Sequence, residues 1–148
     1  MHTATISYYA ENISFRLKNK KIISDWIKKV ILFEKRELQS VSFVFCNDEY
    51  LLKLNQIYLK HQTLTDIITF DYNEDNNIAG DIFISIERVK ENAKVFNNSF
   101  NAELHRVMIH GILHLLGYND KEASEKLAMR AKENKCLLIL SKFVSRGT

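Results

Sequence analysis

Two histidines stand one helical turn apart in the segment HGILHLLGYND, residues 110–120. Residues four apart lie on one face of a helix, so His110 and His114 can bind the same ion. Gly117 falls where the helix should end, because glycine adopts the left-handed conformation at little cost and lets the chain reverse. That reversal can bring the Asp120 carboxylate back toward the imidazoles. The spacing predicts a metal site with ligands His110, His114 and Asp120.

The donor set favours one zinc ion per chain. Two imidazole nitrogens and one carboxylate oxygen fill three tetrahedral positions and leave the fourth for water, as in catalytic rather than structural zinc sites. The alternative is that His110 and His114 are ordinary core or surface residues. The helix is otherwise strongly apolar, however, and two imidazoles are costly to bury there without partners. We therefore expect a zinc centre that uses water for hydrolysis.

The spacing also resembles the metzincin peptidase pattern HExxHxxGxxH, in which the glutamate is the general base. Gly111 takes the place of that glutamate, and a glycine cannot accept a proton from zinc-bound water. The sequence thus keeps the metal geometry of these peptidases without their base. A peptidase or amidase remains an alternative in which another residue, such as Asp66, supplies the base.

Composition is that of an ordinary globular protein, and we expect a single domain over residues 1–148. Hydrophobic residues make up 46% and charged residues 26% of the chain, which favours a packed core over disorder. No run approaches the roughly 20 apolar residues that span a bilayer, and the N-terminal segment does not read as a secretory signal. We expect a cytoplasmic protein without a membrane partner. The net charge of +3 permits a nucleic-acid partner but does not require one.

Hydrophobic periodicity predicts an α/β fold, with a mixed four-stranded sheet and helices packed on it. The helix that contains the HxxxH pair carries the metal site. The predicted strands are 3–15, 41–46, 67–72 and 81–86, with a polar loop at 73–80. The predicted helices are 19–34, 85–96, 102–116 and 122–134. A further helix is predicted to start after Asn47 or Asp48. Cys46 and Cys136 are too few for a disulfide framework or a thiolate zinc site, and we expect both to be buried and reduced.

Three segments in order along the chain match the signatures of one protein family. Residues 110–120 are similar to HGxLHLxGYDH, residues 54–70 (LNQIYLKHQTLTDIITF) to LNxxYRxxxxxTDVLSF, and residues 80–85 (GDIFIS) to GDIxIS. The chain thereby resembles the YbeY-type endoribonucleases, the bacterial rRNA maturation factors, over about residues 54–134.

That resemblance implies an α/β fold, a zinc ion held by three side chains, and cleavage of single-stranded RNA in 16S rRNA 3′-end processing and ribosome quality control. Ribosomal RNA and the small ribosomal subunit would then be the partners, and no DNA partner is expected. A non-enzymatic alternative is a ribosome assembly factor in which zinc only holds the C-terminal helices together.

The chain departs from the family pattern at two positions. The third histidine of the family falls on Asp120, which is an acceptable but harder zinc ligand. The basic residue that follows the tyrosine falls on Leu59, while Lys60 and His61 come next and could supply a charge from a shifted position. The zinc-bound water is the expected nucleophile, and Lys60 and Asp66 are the candidate catalytic side chains.

Other polar and aromatic residues have both structural and functional interpretations. A basic cluster follows the metal turn and forms either a solvated helix face or an RNA contact; it comprises Lys121, Lys126, Arg130, Lys132 and Lys135. Five aromatic residues could stack on unpaired bases, although aromatics inside apolar runs are more often core; they are Tyr8, Tyr9, Tyr58, Phe70 and Tyr118. Only Tyr118 is expected near the site. His105 lies off the ligand face of the helix and is expected to be a supporting or surface residue.

Overall fold

A mixed four-stranded sheet forms the centre of the computed structural model, which describes residues 4–60 and 65–146. The strands are β1 (Thr5–Ala10), β2 (Glu37–Cys46), β3 (Ile67–Asp71) and β4 (Asn77–Ser85), in the spatial order β1–β2–β4–β3. β2 runs parallel to both β1 and β4, and β3 pairs antiparallel with β4 at one edge. The predicted α/β class and mixed four-stranded sheet are confirmed.

Helices pack on both faces of this sheet. Within the described ranges they are α1 (Lys20–Phe33), α2 (Asp48–Leu54), α3 (Ile86–Val95), α4 (Phe100–Leu115) and α5 (Ala123–Arg146), with a π-helical turn at Asn55–Leu59 that continues α2. None of the helices in the described part of the chain is long and apolar enough to cross a membrane.

Side chains of the strands alternate between the two faces of the sheet, and the core is therefore divided into two clusters. Ile82 and Ile84 of β4 point into the larger cluster, which also holds Trp26 of α1 and the buried face of α4. Phe83 lies between them in sequence and points to the opposite face, against the smaller cluster around Leu51 of α2. Successive side chains of a strand point to opposite faces, so covering both faces leaves few polar positions in β4.

Three strands have bounds that differ by several residues from those predicted. β2 begins at Glu37 rather than at residue 41, and β4 begins at Asn77, so the predicted loop at 73–80 is wrong in its second half. These extensions pair with each other, Glu37 with Asn77 and Leu38 with Ile78, and local composition did not indicate that pairing. β1 is shorter than predicted, because Asn12 takes a left-handed φ of 59° just beyond its end.

Helix α5 extends well beyond the predicted end at residue 134, to Arg146. Its second half packs on the core through the buried Cys136 and Leu140, and the indole Nε1 of Trp26 donates a hydrogen bond of 2.7 Å to the carbonyl oxygen of Cys136. Cys46 and Cys136 are both free and buried, as expected, and burial raises the pKa of the two thiols to about 12 and about 11.

Helix α4 is the element that carries the HxxxH pair, and it is buried along most of its length. The Ser99 hydroxyl caps its start by accepting a hydrogen bond from the backbone N–H of Ala102 at 3.1 Å. Its last residue, Leu115, rests on Gly80 of β4, where a Cβ would lie 2.8 Å from Leu115 Cδ2. The small residue on the strand thus lets the end of α4 approach the sheet closely.

We predict that Gly80→Ala lowers the free energy of unfolding by about 2 kcal/mol. The added Cβ would lie 2.5 Å from the backbone carbonyl oxygen of Phe70 as well as against Leu115, and overpacking of a dense core costs roughly 1–3 kcal/mol. Urea denaturation measures the effect. Thr5→Ala, at an exposed position of β1, is the control and should change stability by less than about 0.5 kcal/mol. Equal urea midpoints for the two variants would contradict this account of Gly80.

Candidate metal centre

The end of α4 and the turn after it bring the three predicted ligands together. His110 Nε2 lies 3.0 Å from His114 Nε2, and Asp120 Oδ2 lies 3.2 Å from the first nitrogen and 3.5 Å from the second. Gly117 ends the helix with a φ of +102°, as its place in the sequence predicts. The backbone N–H groups of Gly117 and Tyr118 donate to the carbonyl oxygens of His114 and Leu113, at 3.0 Å each.

These three atoms have the spacing of a tetrahedral zinc site. Ligand atoms roughly 2.0–2.1 Å from a tetrahedral ion lie about 3.3 Å from one another, and the observed separations of 3.0, 3.2 and 3.5 Å surround that value. Two imidazole nitrogens that face each other at 3.0 Å also need a proton or a cation between them. His110, His114 and Asp120 could therefore hold a metal ion, as three corners of a tetrahedron.

Glu133 of α5 sets the orientation of the first imidazole. Its Oε2 lies 2.6 Å from His110 Nδ1, so Nδ1 carries the proton and the lone pair of Nε2 points toward Asp120 and His114. Its other oxygen, Oε1, accepts a hydrogen bond of 2.8 Å from Arg106 Nη1. The Glu133 side chain is 6% exposed, and a buried carboxylate of this kind needs such partners.

Glu133 is a site residue that the sequence motifs do not predict, although a signal for it was present. Met129, Glu133, Cys136 and Leu140 recur at helical spacing on the buried stripe of α5. A carboxylate on a stripe that is otherwise apolar must meet a cation or a hydrogen-bond donor in the fold. The pattern indicates that Glu133 has a partner, but it does not identify His110.

The electrostatics differ between the two histidines. Burial on its own would lower the pKa of His110, but the hydrogen bond to Glu133 and the charges of Glu133 and Asp120 raise it above its ordinary value. Burial and the neighbouring His110 charge lower the pKa of His114. Burial opposes ionisation of Glu133 too, yet the hydrogen bonds from His110 and Arg106 bring its pKa below the usual value. His114 is therefore held in the neutral form that binds metals.

A groove of about 370 Å³ opens beside the triad. His110 and Asp120 line it, together with residues of α3, α4 and α5 and the start of β3. Asp66 lies in its wall, where burial raises the pKa of the carboxyl group and Asn92 Nδ2 donates a hydrogen bond of 3.4 Å to Oδ2. The backbone carbonyl oxygen of Asp66 accepts the N–H of Ser85 at 3.0 Å, which continues the pairing of β3 with β4 by one residue. The catalytic role of Asp66 stays a prediction.

The basic residues singled out in the sequence occupy different places. Lys60 ends the π-helical turn with φ 55° and is exposed, and it is not among the described residues that line the groove. His61 lies outside the described residues. Of the basic cluster on α5, Lys126 and Arg130 line the groove, whereas Lys132 pairs with Glu34 at 2.9 Å.

Tyr118 and His105 support the surroundings of the triad. The Tyr118 hydroxyl donates a hydrogen bond of 2.5 Å to Glu34 Oε1, which ties the metal turn to the end of α1. The ring of His105 meets Trp26 edge-on with 6.3 Å between centroids, and His105 is not part of the ligand cluster.

Position 111 does not face the metal centre. A Cβ added at Gly111 would lie 2.9 Å from Ile82 Cγ2 and 3.0 Å from Ile67 Cδ1, so this position points into the contact between α4 and the sheet. A glutamate there would be directed into the apolar core rather than at a bound water, which strengthens the argument against a metzincin-type base.

Comparison with known proteins extends the resemblance seen in the motifs. The family model described as Endoribonuclease YbeY matches residues 5–141. A relative named Endoribonuclease YbeY from Amoebophilus asiaticus is 53% identical over 135 residues, which cover 90% of this chain and 92% of the relative. One of the same name from Parabacteroides distasonis is 49% identical over 135 residues, covering 91% of this chain and 95% of the relative.

A solved structure shares the fold. The solution structure of TM1509 from Thermotoga maritima matches with a TM-score of 0.68 and 28% sequence identity, over 96% of this chain and 93% of that one. The match in sequence therefore extends well beyond the segments that carry the motifs, and the match in structure covers nearly all of both chains. The chain belongs to the YbeY endoribonuclease family.

Proposed function

We propose that this protein is a zinc-dependent endoribonuclease that cleaves single-stranded RNA in the maturation of the 16S rRNA 3′ end and in ribosome quality control. Membership of an endoribonuclease family supports RNA as the substrate. The observation that carries the metal dependence is the tetrahedral spacing of His110, His114 and Asp120 beside an open groove. Its partners would be ribosomal RNA and the small ribosomal subunit, in the cytoplasm.

Different residues of this site would have different roles. His110, His114 and Asp120 would hold one zinc ion, and Glu133 would keep the His110 imidazole in the binding tautomer. When bound, the ion would act as a Lewis acid, which lowers the pKa of water toward 7 and polarises the phosphodiester. Asp66 is the candidate proton carrier in the groove wall, because its raised pKa brings it closer to the operating pH.

The alternatives have less support. A peptidase could take its base from Asp66 in the groove wall, but the family to which the chain belongs is named for cleavage of RNA. A zinc ion that only holds helices together would normally have four protein ligands, whereas the described residues here offer three, with side chains 21% to 37% exposed. Both facts favour a hydrolytic centre that acts on a substrate in the groove.

We predict that zinc-loaded protein cuts the single-stranded 3′ region of precursor 16S rRNA, and that metal-free protein and His114→Ala do not. Removing one of three ligands leaves too few donors to hold the ion and activate water. Mapping the cut ends after incubation with the precursor measures the effect. His105→Ala, a histidine of α4 outside the cluster, is the control and should still cut. The same cut ends with all four proteins would show that the zinc proposal is wrong, and cleavage of a peptide but not of RNA would favour the peptidase.

Asp120 is one of the two positions at which the chain departs from its family's pattern, and its replacement tests whether it is a ligand. We predict that Asp120→His keeps zinc affinity within about tenfold of wild type, because imidazole is an equally suitable zinc donor. Asp120→Ala should lose more than the roughly 10- to 100-fold that removal of an outer partner costs. Competition with a chromophoric chelator measures both. If Asp120→Ala binds zinc as tightly as wild type, Asp120 is not a ligand.

Glu133→Gln tests the carboxylate that orients His110. The amide cannot stabilise the Nδ1 proton as a carboxylate does, so we expect zinc affinity to fall by about 10- to 100-fold. Glu91→Gln, an exposed glutamate of α3, is the matched control and should bind zinc like wild type. Thermal melting of the metal-free variants separates this effect from a loss of stability through Arg106. Equal zinc affinities for Glu133→Gln and Glu91→Gln would rule out the orienting role.

A further inference from the structure

An aromatic ring stands exposed in the wall of the groove. Phe96 follows the last residue of α3, is 56% exposed and lines the same groove as His110 and Asp120. Its backbone N–H donates a hydrogen bond of 2.9 Å to the carbonyl oxygen of Asn92, so the main chain that carries the ring is fixed to the helix. The exposed part of the ring contributes no hydrophobic free energy to folding, and a ligand that covers it would gain the free energy of that burial.

Two cations of α5 line the same groove. Lys126 and Arg130 are four residues apart and therefore share one helix face. Arg130 is 56% exposed, and its one ion pair among the described residues is long, 3.8 Å to Glu133 Oε1. Lys126 makes no ion pair with any side chain that the structure describes. Arg106 also lines the groove, but its two terminal nitrogens are held at 2.8 Å by Glu133 and Asn134. Lys126, without an ion pair, and Arg130, with only a long one, are thus the groove cations best placed to meet an anion.

The acidic residues of the groove are largely engaged elsewhere. Glu133 is shared between His110 and Arg106, and Glu103 accepts a hydrogen bond of 3.3 Å from Asn98 Nδ2. Asp66 accepts a hydrogen bond of 3.4 Å from Asn92 Nδ2, and Asp120 lies against His110 and His114. A phosphate that approaches from the α5 side would therefore meet Lys126 and Arg130, while each carboxylate of the groove already has a polar partner among the described residues.

We propose that this part of the groove is a subsite for one unpaired nucleotide of the RNA, with its base stacked on Phe96 and an adjacent phosphate bound by Lys126 and Arg130. This inference rests on the proposed function and adds a reason for single-strand specificity. A base inside a duplex has both faces covered by its neighbours, whereas an unpaired base can offer one face to an aromatic side chain.

The test measures binding of a short fluorescein-labelled oligoadenylate to the full chain by anisotropy, with a chelator present so that the probe stays intact. Phe96→Ala should weaken binding about tenfold, as expected for loss of one stacked base, and Phe96→Trp should restore it. Neither variant should change the binding of a matching oligomer that lacks its bases. Phe33→Ala is the matched control, because that ring is 57% exposed but lies outside the groove, on α1.

The phosphate contacts are tested by the salt dependence of the same binding. Lys126→Gln with Arg130→Gln should reduce the steepness of log affinity against log salt by about 0.7, since the subsite binds one phosphate and each phosphate contact to a single strand contributes about 0.7. Lys142→Gln, an exposed lysine further along α5, should leave the slope unchanged.

Two results would overturn the subsite. One is that Phe96→Ala and Phe33→Ala bind oligoadenylate with equal affinity. The other is that Phe96→Ala loses as much affinity for the base-free oligomer as for oligoadenylate, which would show that the ring acts on the fold rather than on a base. Cleavage by zinc-loaded wild type is measured separately. If wild type does not cut RNA, the proposed function fails whatever Phe96 does, whereas cutting by wild type with no effect of Phe96→Ala rejects only the subsite.

Discussion

The hydrogen bond between Glu133 and His110 is the interaction on which the geometry of this centre depends. A carboxylate that is 6% exposed would cost several kcal/mol to bury alone, and its bonds to His110 and Arg106 offset that cost. Those bonds form only when α5 lies against α4. The docking of α5 is in turn secured by apolar contacts and by the hydrogen bond from Trp26 to the Cys136 carbonyl oxygen. The orientation of one imidazole is thus coupled to the packing of two helices.

The charge of the centre follows from the same residues. Asp120 stands where the family motif has a third histidine, and its carboxylate adds a negative charge beside that of Glu133. The charge of a bound dication would therefore be offset more than it would be by three neutral imidazoles. A more neutral centre attracts a phosphodiester less strongly. Lys126 and Arg130 line the same groove, with Arg130 3.8 Å from Glu133, and would add positive charge that helps to attract the anion.

Local patterns predicted the parts of the structure that depend on local physics. The HxxxH spacing, the helix-ending Gly117 and the apolar strands each follow from a helix or strand period, and all are present in the fold. The paired extensions at Glu37 and Asn77 depend on each other across the sheet, so neither could be predicted from its own segment. The partner of Glu133 and the position of Phe96 beside His110 likewise arise from how α3, α4 and α5 pack, which periodicity does not encode.

The position of Glu133 in the chain has a consequence for protein synthesis. A ribosome makes residues 110–120 before it reaches residue 133, so during translation the emerging chain carries the three potential metal ligands before it carries the residue that orients one of them. If the chain cuts RNA as proposed, the order of its residues delays completion of the centre until the growing polypeptide has extended into α5. A nascent chain that is still attached to its ribosome at that stage would hold an unfinished nuclease next to ribosomal RNA.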